Sequence, residues 1–362
     1  MRIGILTLPV HINYGGILQA YALQTVLERL GHKVVILDRQ VNYEQPLFRM
    51  AMVLPVRLIK KLFGLHKGTV WIEKAKQEKK QLAQQNTKKF IERHLHIYPF
   101  YDVANINPKD FDAIVVGSDQ IWRARYFRNI SNNPADMFLA FADKWNIKRF
   151  AYAASFGTDQ WELDEKETEE SLHYAKKFDA ISVREDSGVK LCRENLGIAS
   201  EHVLDPTMLL TRDEYKTLIN IECSTKCALV SYILDRDADK ANIVDALSKR
   251  FGKEYSINRQ EYPVPSVEFW LEGLVRAERM VTDSFHGTAF SINFNIPFVV
   301  LSNQSRGQSR LESILKMFHL ENRMVYSLEQ ALEIIDTPID WDMVNNILAN
   351  QRNKSITFLS KI

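Results

Sequence analysis

The stretch Met280-Val281-Thr282-Asp283-Ser284-Phe285-His286-Gly287-Thr288-Ala289-Phe290 decides the fold. A short apolar run ends at Thr282, small and polar residues follow, and an apolar run with helical potential begins at Thr288. This order predicts a strand, a tight turn and the start of a helix. Backbone N–H groups at a helix start lack partners and lie at the positive end of the helix dipole, so such a turn can hold an anion.

His286 would lie at the mouth of this turn. A histidine side chain is well suited to give or take a proton near neutral pH. The competing interpretation is a packed strand–helix corner in which the histidine is simply hydrogen-bonded. The stretch alone leaves both interpretations open.

The beginning of the chain has the same alternation. Residues 3–8 predict a buried strand, Asn13-Tyr14-Gly15-Gly16 a glycine turn, 17–30 a helix and 34–37 a second strand. This is a βαβ unit with a glycine-rich first turn. It lacks the G-x-G-x-x-G fingerprint of dinucleotide binding, and Asp38 after the second strand is a weak signal for a ribose.

Further strands end in small or polar residues. Residues 111–116 are followed by Gly117-Ser118-Asp119-Gln120-Ile121-Trp122, and 180–183 by Arg184 and Glu185. Ligands of open α/β sheets collect at such carboxyl ends, where an arginine suits a carboxylate or a phosphate. The alternative for Arg184 is an ion pair with its neighbours Glu185 or Asp186.

The pattern predicts an α/β protein with two Rossmann-like domains facing a cleft. We expect an N-terminal domain over 1–206, a C-terminal domain with the His286 turn over 207–340, and a last helix over 341–362 that packs back on the first domain. Strand–helix alternation recurs in both halves.

Residues 46–95 interrupt the alternation with a helical insertion. Residues 48–63 are apolar and basic, and Pro55 is expected to break any continuous helix there. One interpretation is a surface that contacts the inner face of a membrane or binds an acceptor. The other is a solvated helical excursion from the first domain.

Composition excludes several classes. The chain has 362 residues, a net charge of +2 and three cysteines, which gives no reason to expect nucleic acid binding or a disulfide framework. No metal-ligand cluster or cofactor motif is present, so we expect neither. The first apolar run is too short for a signal peptide, and we expect a cytoplasmic protein.

Several motifs together resemble the polysaccharide pyruvyl transferase family. They are Asn13 to Leu23, Val116 to Trp122, Ser182-Val183-Arg184-Glu185, Leu204-Asp205-Pro206-Thr207, and Thr282 to Gly287 with Pro297-Phe298 downstream. The resemblance implies a glycosyltransferase-B-like fold. It also implies transfer of a pyruvyl group from phosphoenolpyruvate to two hydroxyls of a sugar, which makes a cyclic ketal and releases phosphate, on the cytoplasmic side of bacterial cell-surface polysaccharide assembly.

The resemblance also suggests residue roles. His286 matches the histidine of the family's donor motif, and Arg184 matches an arginine that grips the donor. Asp119 and Asp283 are candidates for the base by position, and the acceptor is a sugar that is lipid-linked, polymeric or a small precursor. Further donor-side candidates are Ser284, Phe285, Gly287, Arg306 and Arg310, and acceptor-side candidates are Asn13, Tyr14, Gly15, Gly16, Ser118, Gln120 and Trp122.

Ser284 departs from the family form, which has an arginine two residues before the histidine. A serine donates one hydrogen bond but cannot neutralise a phosphate. Arg306 and Arg310 are the cations that would compensate, and the alternative is that both are ordinary surface arginines.

Two other functions fit the same fold. The first is a glycosyltransferase that uses a nucleotide sugar, with Trp270 and Phe285 as the available aromatic side chains. The second is a glycan-binding or assembly protein without activity, in which Tyr14 and Trp122 stack on sugars.

Overall fold

The computed structural model of the chain describes residues 1–41, 47–65, 68–220, 225–258, 263–303 and 307–362. Two parallel β-sheets, each covered by helices, organise these residues. This confirms the α/β class and the two Rossmann-like domains expected of a glycosyltransferase-B-like fold.

The first sheet has seven parallel strands in the order β3-β2-β1-β4-β5-β6-β7. They are β1 (Arg2–Leu6), β2 (Lys33–Arg39), β3 (Ile97–Phe100), β4 (Ala113–Val116), β5 (Lys148–Ala154), β6 (Ala180–Val183) and β7 (Glu201–His202). Its inner strands are apolar and almost completely buried because helices cover both faces of the sheet.

The second sheet has five parallel strands in the order β12-β11-β10-β8-β9. They are β8 (Leu229–Tyr232), β9 (Glu254–Ser256), β10 (Met280–Thr282), β11 (Phe298–Leu301) and β12 (Met324–Val325). The strand predicted from the opening stretch, β10, is the central one.

The α-helices alternate with these strands. They are α1 (Tyr14–Arg29), α2 (Leu47–Leu62), α3 (Ile72–His94), α4 (Ala124–Phe127), α5 (Glu165–Ala175), α6 (Asp186–Leu196), α7 (Arg212–Lys216), α8 (Ala238–Phe251), α9 (Val267–Arg276), α10 (Phe285–Asn293), α11 (Gln308–Met317), α12 (Leu328–Ile334) and α13 (Trp341–Leu359). Within the described ranges, none of the helices has the length and apolar character needed to cross a membrane.

Two helix starts follow the capping rules. Ser266 accepts a hydrogen bond from the Phe269 N–H at the start of α9, and Asp340 accepts one from the Met343 N–H at the start of α13. Side-chain oxygens at this position satisfy N–H groups that the helix itself leaves unbonded.

Pro55 was expected to break any continuous helix in the insertion. It lies instead inside the continuous helix α2. Pro55 lies on the exposed side of α2, four residues after exposed Ala51, so the carbonyl that loses its partner can bond to water instead. The sequence also missed β3, which adds a short edge strand immediately after the insertion.

The last helix, α13, contacts the first sheet. Ser355 Oγ accepts a hydrogen bond from the Leu204 N–H at 3.1 Å, and the Phe358 ring lies 6.0 Å from that of Tyr152 in β5. The end of the chain therefore packs beside residues encoded near its middle.

Candidate active site

The turn between β10 and α10 holds His286 at the second residue of the helix. Ser284 caps α10, because its Oγ accepts the Gly287 N–H at 3.4 Å. A side chain at Gly287 would overlap Thr282 Oγ1, so the close approach of helix and strand requires glycine there. Ser284 thus shapes the turn, and the first N–H groups of α10 have no acceptor within the helix.

His286 is packed against the first residues of α1. A Cβ atom added to Gly15 would overlap Nδ1 of the His286 ring. Asn13, which precedes α1, makes no side-chain cap and instead donates from Nδ2 to Asp119 Oδ2 at 3.3 Å. The amino termini of α1 and α10 therefore converge on the histidine.

Arg184 is the buried centre of the site. It follows β6, and its side chain is fully buried. Its Nη1 donates to Asp205 Oδ2 at 2.7 Å and its Nη2 to Asp119 Oδ1 at 3.2 Å. The guanidinium lies 4.3 Å from the centre of the Phe285 ring, so Phe285 forms a cation–π contact between the two halves.

Charged side chains from both sheets meet here. We call this group the charged cluster: Asp119, Arg184, Glu185, Asp205, His286 and Arg310. All six residues are buried, and His286 Nε2 lies 3.9 Å from Asp205 Oδ2. Buried charges are rare unless they are paired or serve a function.

The carboxyl groups of Asp119 and Asp205 are held ionised. Burial raises the pKa of Asp205, but Arg184, His286 and hydrogen bonds from Thr207 and Arg184 outweigh it and bring the pKa to about 2. Burial likewise raises the pKa of Asp119, and the charges of Arg184, His286 and Arg310 hold it below the usual value. Both residues supply negative charge at neutral pH.

The other ionisable groups of the charged cluster respond to burial differently. Burial lowers the pKa of His286, and the two aspartates only partly oppose this effect. Burial, reinforced by the charge of Arg184, lowers the pKa of Arg310 to about 10. Burial raises the pKa of Glu185, although the charges of Arg184 and Arg310 and the Gly157 N–H oppose it. Without a ligand, His286 therefore favours the neutral form at pH 7.

Asp205 is the residue that sequence reasoning missed as a site residue. Ser118 Oγ donates to its Oδ2 at 3.0 Å, and the N–H and hydroxyl of Thr207 donate to its Oδ1. Ser118 thus orients a carboxylate beside His286 instead of facing open solvent. The motif Leu204-Asp205-Pro206-Thr207 was the available signal.

An open cleft of about 650 Å³ lies beside the charged cluster, at the carboxyl edge of the first sheet. We call it the first-sheet cleft. Asn13, Gly16, Asp119 and Gln120 line it, and so do Arg39 and Arg128, among others. Asp119 therefore connects the cleft to the buried cluster.

Three aromatic side chains expected to stack on sugars or bases are inaccessible. Tyr14 is 0% exposed, lies 5.7 Å from Trp270 ring to ring, and donates from its hydroxyl to the Pro265 carbonyl. Trp270 is itself 0% exposed, and Trp122 is 2% exposed and packs on Phe156. The predictions that Tyr14 and Trp122 stack on a sugar and that Trp270 stacks on a base are corrected, because all three belong to the core.

Asp283 has a different set of partners from Asp119. Its carboxylate accepts hydrogen bonds from Lys240 Nζ at 2.7 Å and Asn303 Nδ2 at 2.9 Å, and from the Leu234 and Asp235 N–H groups. These groups lie on the second sheet's side of the molecule. Asp283 orders the carboxyl edge of that sheet.

Of the two arginines expected to compensate for Ser284, Arg310 joins the charged cluster. It lies in the first turn of α11, 5.8 Å from the centre of the Phe285 ring. Arg306 lies outside the described residues. No group of three or more His, Cys, Asp and Glu residues within the described ranges is arranged to hold a metal ion.

A second hollow, of about 750 Å³, adjoins Arg279 and Pro297. These residues precede β10 and β11, so the hollow lies at the amino edge of the second sheet, opposite His286. His286 and the charged cluster do not line this hollow.

The geometry can bind an anion and move protons beside it. The amino termini of α1 and α10 meet at His286, and the charge of Arg310 is near enough to lower the pKa of the histidine. The ionised carboxylates of Asp119 and Asp205 could stabilise a developing positive charge.

The chain was compared with curated proteins and with solved structures. No curated protein matches the sequence. Solved structures of similar fold include the glycosyltransferase of kitacinnamycin (TM-score 0.48, 10% identity, 99% of this chain and 97% of that chain). They also include UDP-GlcNAc 2-epimerase from Neisseria meningitidis (TM-score 0.47, 10% identity, 100% of both chains) and Anabaena HepE with UDP and glucose (TM-score 0.47, 8% identity, 100% and 97%).

The family is defined by the sequence match. The profile described as polysaccharide pyruvyl transferase covers residues 13–305, from the cap of α1 through the His286 turn and β11. The chain therefore belongs to the polysaccharide pyruvyl transferase family, which is a family of transferases.

Proposed function

We propose that the protein transfers a pyruvyl group from phosphoenolpyruvate to two hydroxyls of a sugar in a cell-surface polysaccharide or its precursor. The product is a pyruvate ketal, and phosphate is released. The observation that carries this proposal is the position of His286, 3.9 Å from Asp205, where both sheets contribute charge. As part of the proposal, the reaction takes place in the bacterial cytoplasm.

Phosphoenolpyruvate has a carboxylate and a phosphate, and the site needs hydrogen-bond donors or cations for both. In this proposal the first N–H groups of α1 and α10, which meet at His286, and the nearby guanidinium of Arg310 bind these two anionic groups. Arg310 thereby supplies the positive charge that Ser284 does not. Arg184 is already bonded to Asp119 and Asp205, so we assign it a positioning role behind the donor.

The first step adds a sugar hydroxyl to the donor. His286, protonated when the anionic donor binds, gives its proton to the methylene carbon of phosphoenolpyruvate. The double bond's electrons form the new C–H bond and leave a cationic carbon, which the hydroxyl oxygen attacks. The hydroxyl proton passes to the now neutral His286, so the residue ends the step protonated.

The second step replaces the phosphate. The bond between the ketal carbon and the phosphate oxygen breaks, and the phosphate leaves with the electron pair and the proton of His286. The second hydroxyl attacks the cationic carbon and gives its proton back to His286. One proton has moved to the methyl group and one to phosphate, which balances the two lost by the sugar.

In this proposal Asp119 stabilises the cationic carbon. Its pKa is held below the usual value, so it stays ionised and is a poor base. Preorganised charge of this kind stabilises a transition state without being reorganised during the reaction. The proposed acceptor site is the first-sheet cleft, because Asp119 lines it and reaches the charged cluster.

The first test measures binding of the donor. A ligand at about 100 times its dissociation constant adds about 2.7 kcal/mol of stability, which is visible as a melting shift. We expect phosphoenolpyruvate to stabilise the wild type and Arg310→Gln to lose the shift, whereas the exposed control Arg193→Gln keeps it. Stabilisation by nucleotide sugars alone would instead favour a glycosyltransferase.

The second test measures turnover. Phosphate release from phosphoenolpyruvate is followed across a panel of sugar acceptors, and the ketal is identified by mass. Binding of glycans without release of phosphate, unchanged in His286→Gln, would show a binding protein and overturn the proposal.

A further inference from the structure

Helix α2 exposes apolar side chains on a scale unlike the rest of the molecule. Leu62 is 85% exposed, Phe63 77% and Phe48 69%, and Met52, Val56 and Ile59 are all more than half exposed. Scattered exposed apolar residues are normal, but a contiguous apolar surface marks an interaction site.

The exposed residues share one face of the helix. At about 100° per residue, the apolar positions from Phe48 to Leu62 cover roughly 160° of the helix circumference without a charged residue among them. Arg49 and Lys60 lie together at one border of this face, and Lys61 lies beyond the other. No acidic residue occurs from 47 to 65.

The opposite face of α2 is fixed to the molecule. Arg57 binds both carboxylate oxygens of Glu73, next to the start of α3, at 2.7 Å each. Met50, Val53 and Leu54 lie on the same side and are only partly exposed. The apolar face is therefore the one turned away from the protein.

The α2–α3 pair is tied to the mouth of the first-sheet cleft. Thr87 Oγ1 in α3 donates to the carbonyl of His11 at 2.6 Å, and His11 lines the cleft. Val41, another lining residue, is six positions before α2, a distance of at most about 20 Å along an extended chain. Whatever α2 contacts is held near the proposed acceptor site.

We propose that α2 docks this protein on an anionic lipid bilayer, with its apolar face in the boundary between headgroups and acyl chains. An exposed apolar face bordered by lysine and arginine, without acidic residues, fits that surface. The basic border distinguishes a negatively charged membrane from a second copy of this chain, whose own α2 would bring like charges together.

Docking places the first-sheet cleft beside the membrane. A lipid-linked sugar could then reach the cleft while its lipid stays in the bilayer. The lipid-linked class of acceptor rests on the proposed function, whereas docking does not.

The test is sedimentation of the full chain with vesicles, without substrates. We expect binding to vesicles of phosphatidylcholine with phosphatidylglycerol, weaker binding at high salt, and little binding to pure phosphatidylcholine. The double variant Ile59→Gln with Leu62→Gln should lose at least ~10-fold in affinity because two apolar side chains no longer enter the bilayer. The double variant Lys60→Gln with Lys61→Gln should lose the preference for anionic lipid.

A matched control replaces two apolar residues that are exposed elsewhere. Leu82→Gln with Met343→Gln should bind vesicles like the wild type. Equal loss in this control, or failure of the wild type to bind, overturns the proposal. So does a dimer in solution that Ile59→Gln with Leu62→Gln abolishes, because a second copy would then cover the face.

Turnover with a soluble acceptor separates this proposal from the reaction. We expect the Ile59→Gln, Leu62→Gln variant to keep wild-type turnover on a soluble sugar. Vesicle binding without any phosphate release would leave the docking intact and refute only the reaction.

Discussion

The charged cluster and helix α2 reverse the usual placement of side chains in opposite ways. The cluster buries the charges of Arg184, Asp119 and Asp205, whereas α2 exposes Phe48 and Leu62. The buried charges oppose folding because they lose hydration, whereas the exposed apolar groups of α2 contribute almost nothing to it. In the charged cluster, ion pairs within the molecule offset the lost hydration, whereas the apolar face of α2 would need a partner from outside.

The difference predicts how substitutions in each region affect stability and function. The cluster is complete without a ligand, so substitutions there change both stability and activity. The face of α2 is incomplete, so substitutions there should change only what it binds. Substitutions in the two regions test this division, and we expect the largest effect at His286.

Removing the histidine should have the largest effect on turnover. His286→Gln should lower kcat by about 10²- to 10⁴-fold, because general acid–base help is typically worth that much. Steady-state phosphate release measures it, and the melting temperature serves as the control for folding. A loss of less than about threefold, against that expected range, would remove His286 from the proton transfers.

Removing one partner of the buried ion pair should destabilise the fold. Asp205→Ala leaves Arg184 Nη1 without its 2.7 Å partner, and breaking a buried pair typically costs about 3–5 kcal/mol. Urea unfolding measures the change. The control Asp213→Ala removes the carboxylate of an exposed ion pair with Lys216 and should cost much less; an equal loss in the two variants would contradict the pairing argument.

Alanine substitutions at the two adjacent glycines near the start of α1, Gly15 and Gly16, distinguish packing against His286 from helix propensity. Alanine improves helix propensity at either position by about 1 kcal/mol, but only at Gly15 does a Cβ overlap the His286 ring. A displacement of about 1 Å can lower turnover ~10²-fold, so we expect that order of loss in Gly15→Ala. Gly16→Ala, which meets only Asn13, should lose much less; equal losses would show that the histidine is not positioned by this contact.

Activity and stability should respond to pH in opposite directions through His286. Its pKa is lowered by burial, so the free enzyme loses the required proton as pH rises, and kcat/KM for phosphoenolpyruvate should fall above that pKa. The folded state also binds fewer protons than the unfolded state below pH 6.5, so stability should fall as pH drops from there toward the folded pKa. A pH–rate profile and urea unfolding measure the two effects, and His286→Gln should flatten both. A kcat/KM that rises with pH would contradict the acid role.

Substitution on the apolar face of α2 should have the smallest effect on stability. Leu62→Gln should change the free energy of unfolding by less than about 0.5 kcal/mol, as exposed sites usually do. Leu23→Ala, in the core of α1, should cost about 2–5 kcal/mol by comparison. A large loss in Leu62→Gln would mean that α2 is part of the core and not a docking surface.

The sequence predicted elements better than it predicted exposure. The strand, turn and helix around His286 follow from local periodicity. The strand is observed as β10 and the helix as α10, with the turn between them. Whether an aromatic residue faces a ligand or the core depends on packing between distant segments. Tyr14 was therefore misassigned, because its stacking partner Trp270 lies far along the chain.

Long-range geometry also explains the missed residue and the wrongly predicted break. Asp205 reaches His286 only because two sheets meet, although the two residues are far apart in sequence. Pro55 was expected to interrupt a helix because proline usually does so in a packed interior. On the exposed side of α2 the unbonded carbonyl has water, which local sequence cannot show.

The return of α13 to the first sheet determines when that sheet can be completed. Lys361, just after α13, forms an ion pair with Glu201 in β7 at 2.6 Å, and Ser355 bonds to Leu204. Chains emerge from the ribosome amino terminus first, and their domains generally fold as units. This edge of the first sheet therefore stays uncovered until α13, which is encoded more than 130 residues after β7, has been synthesised.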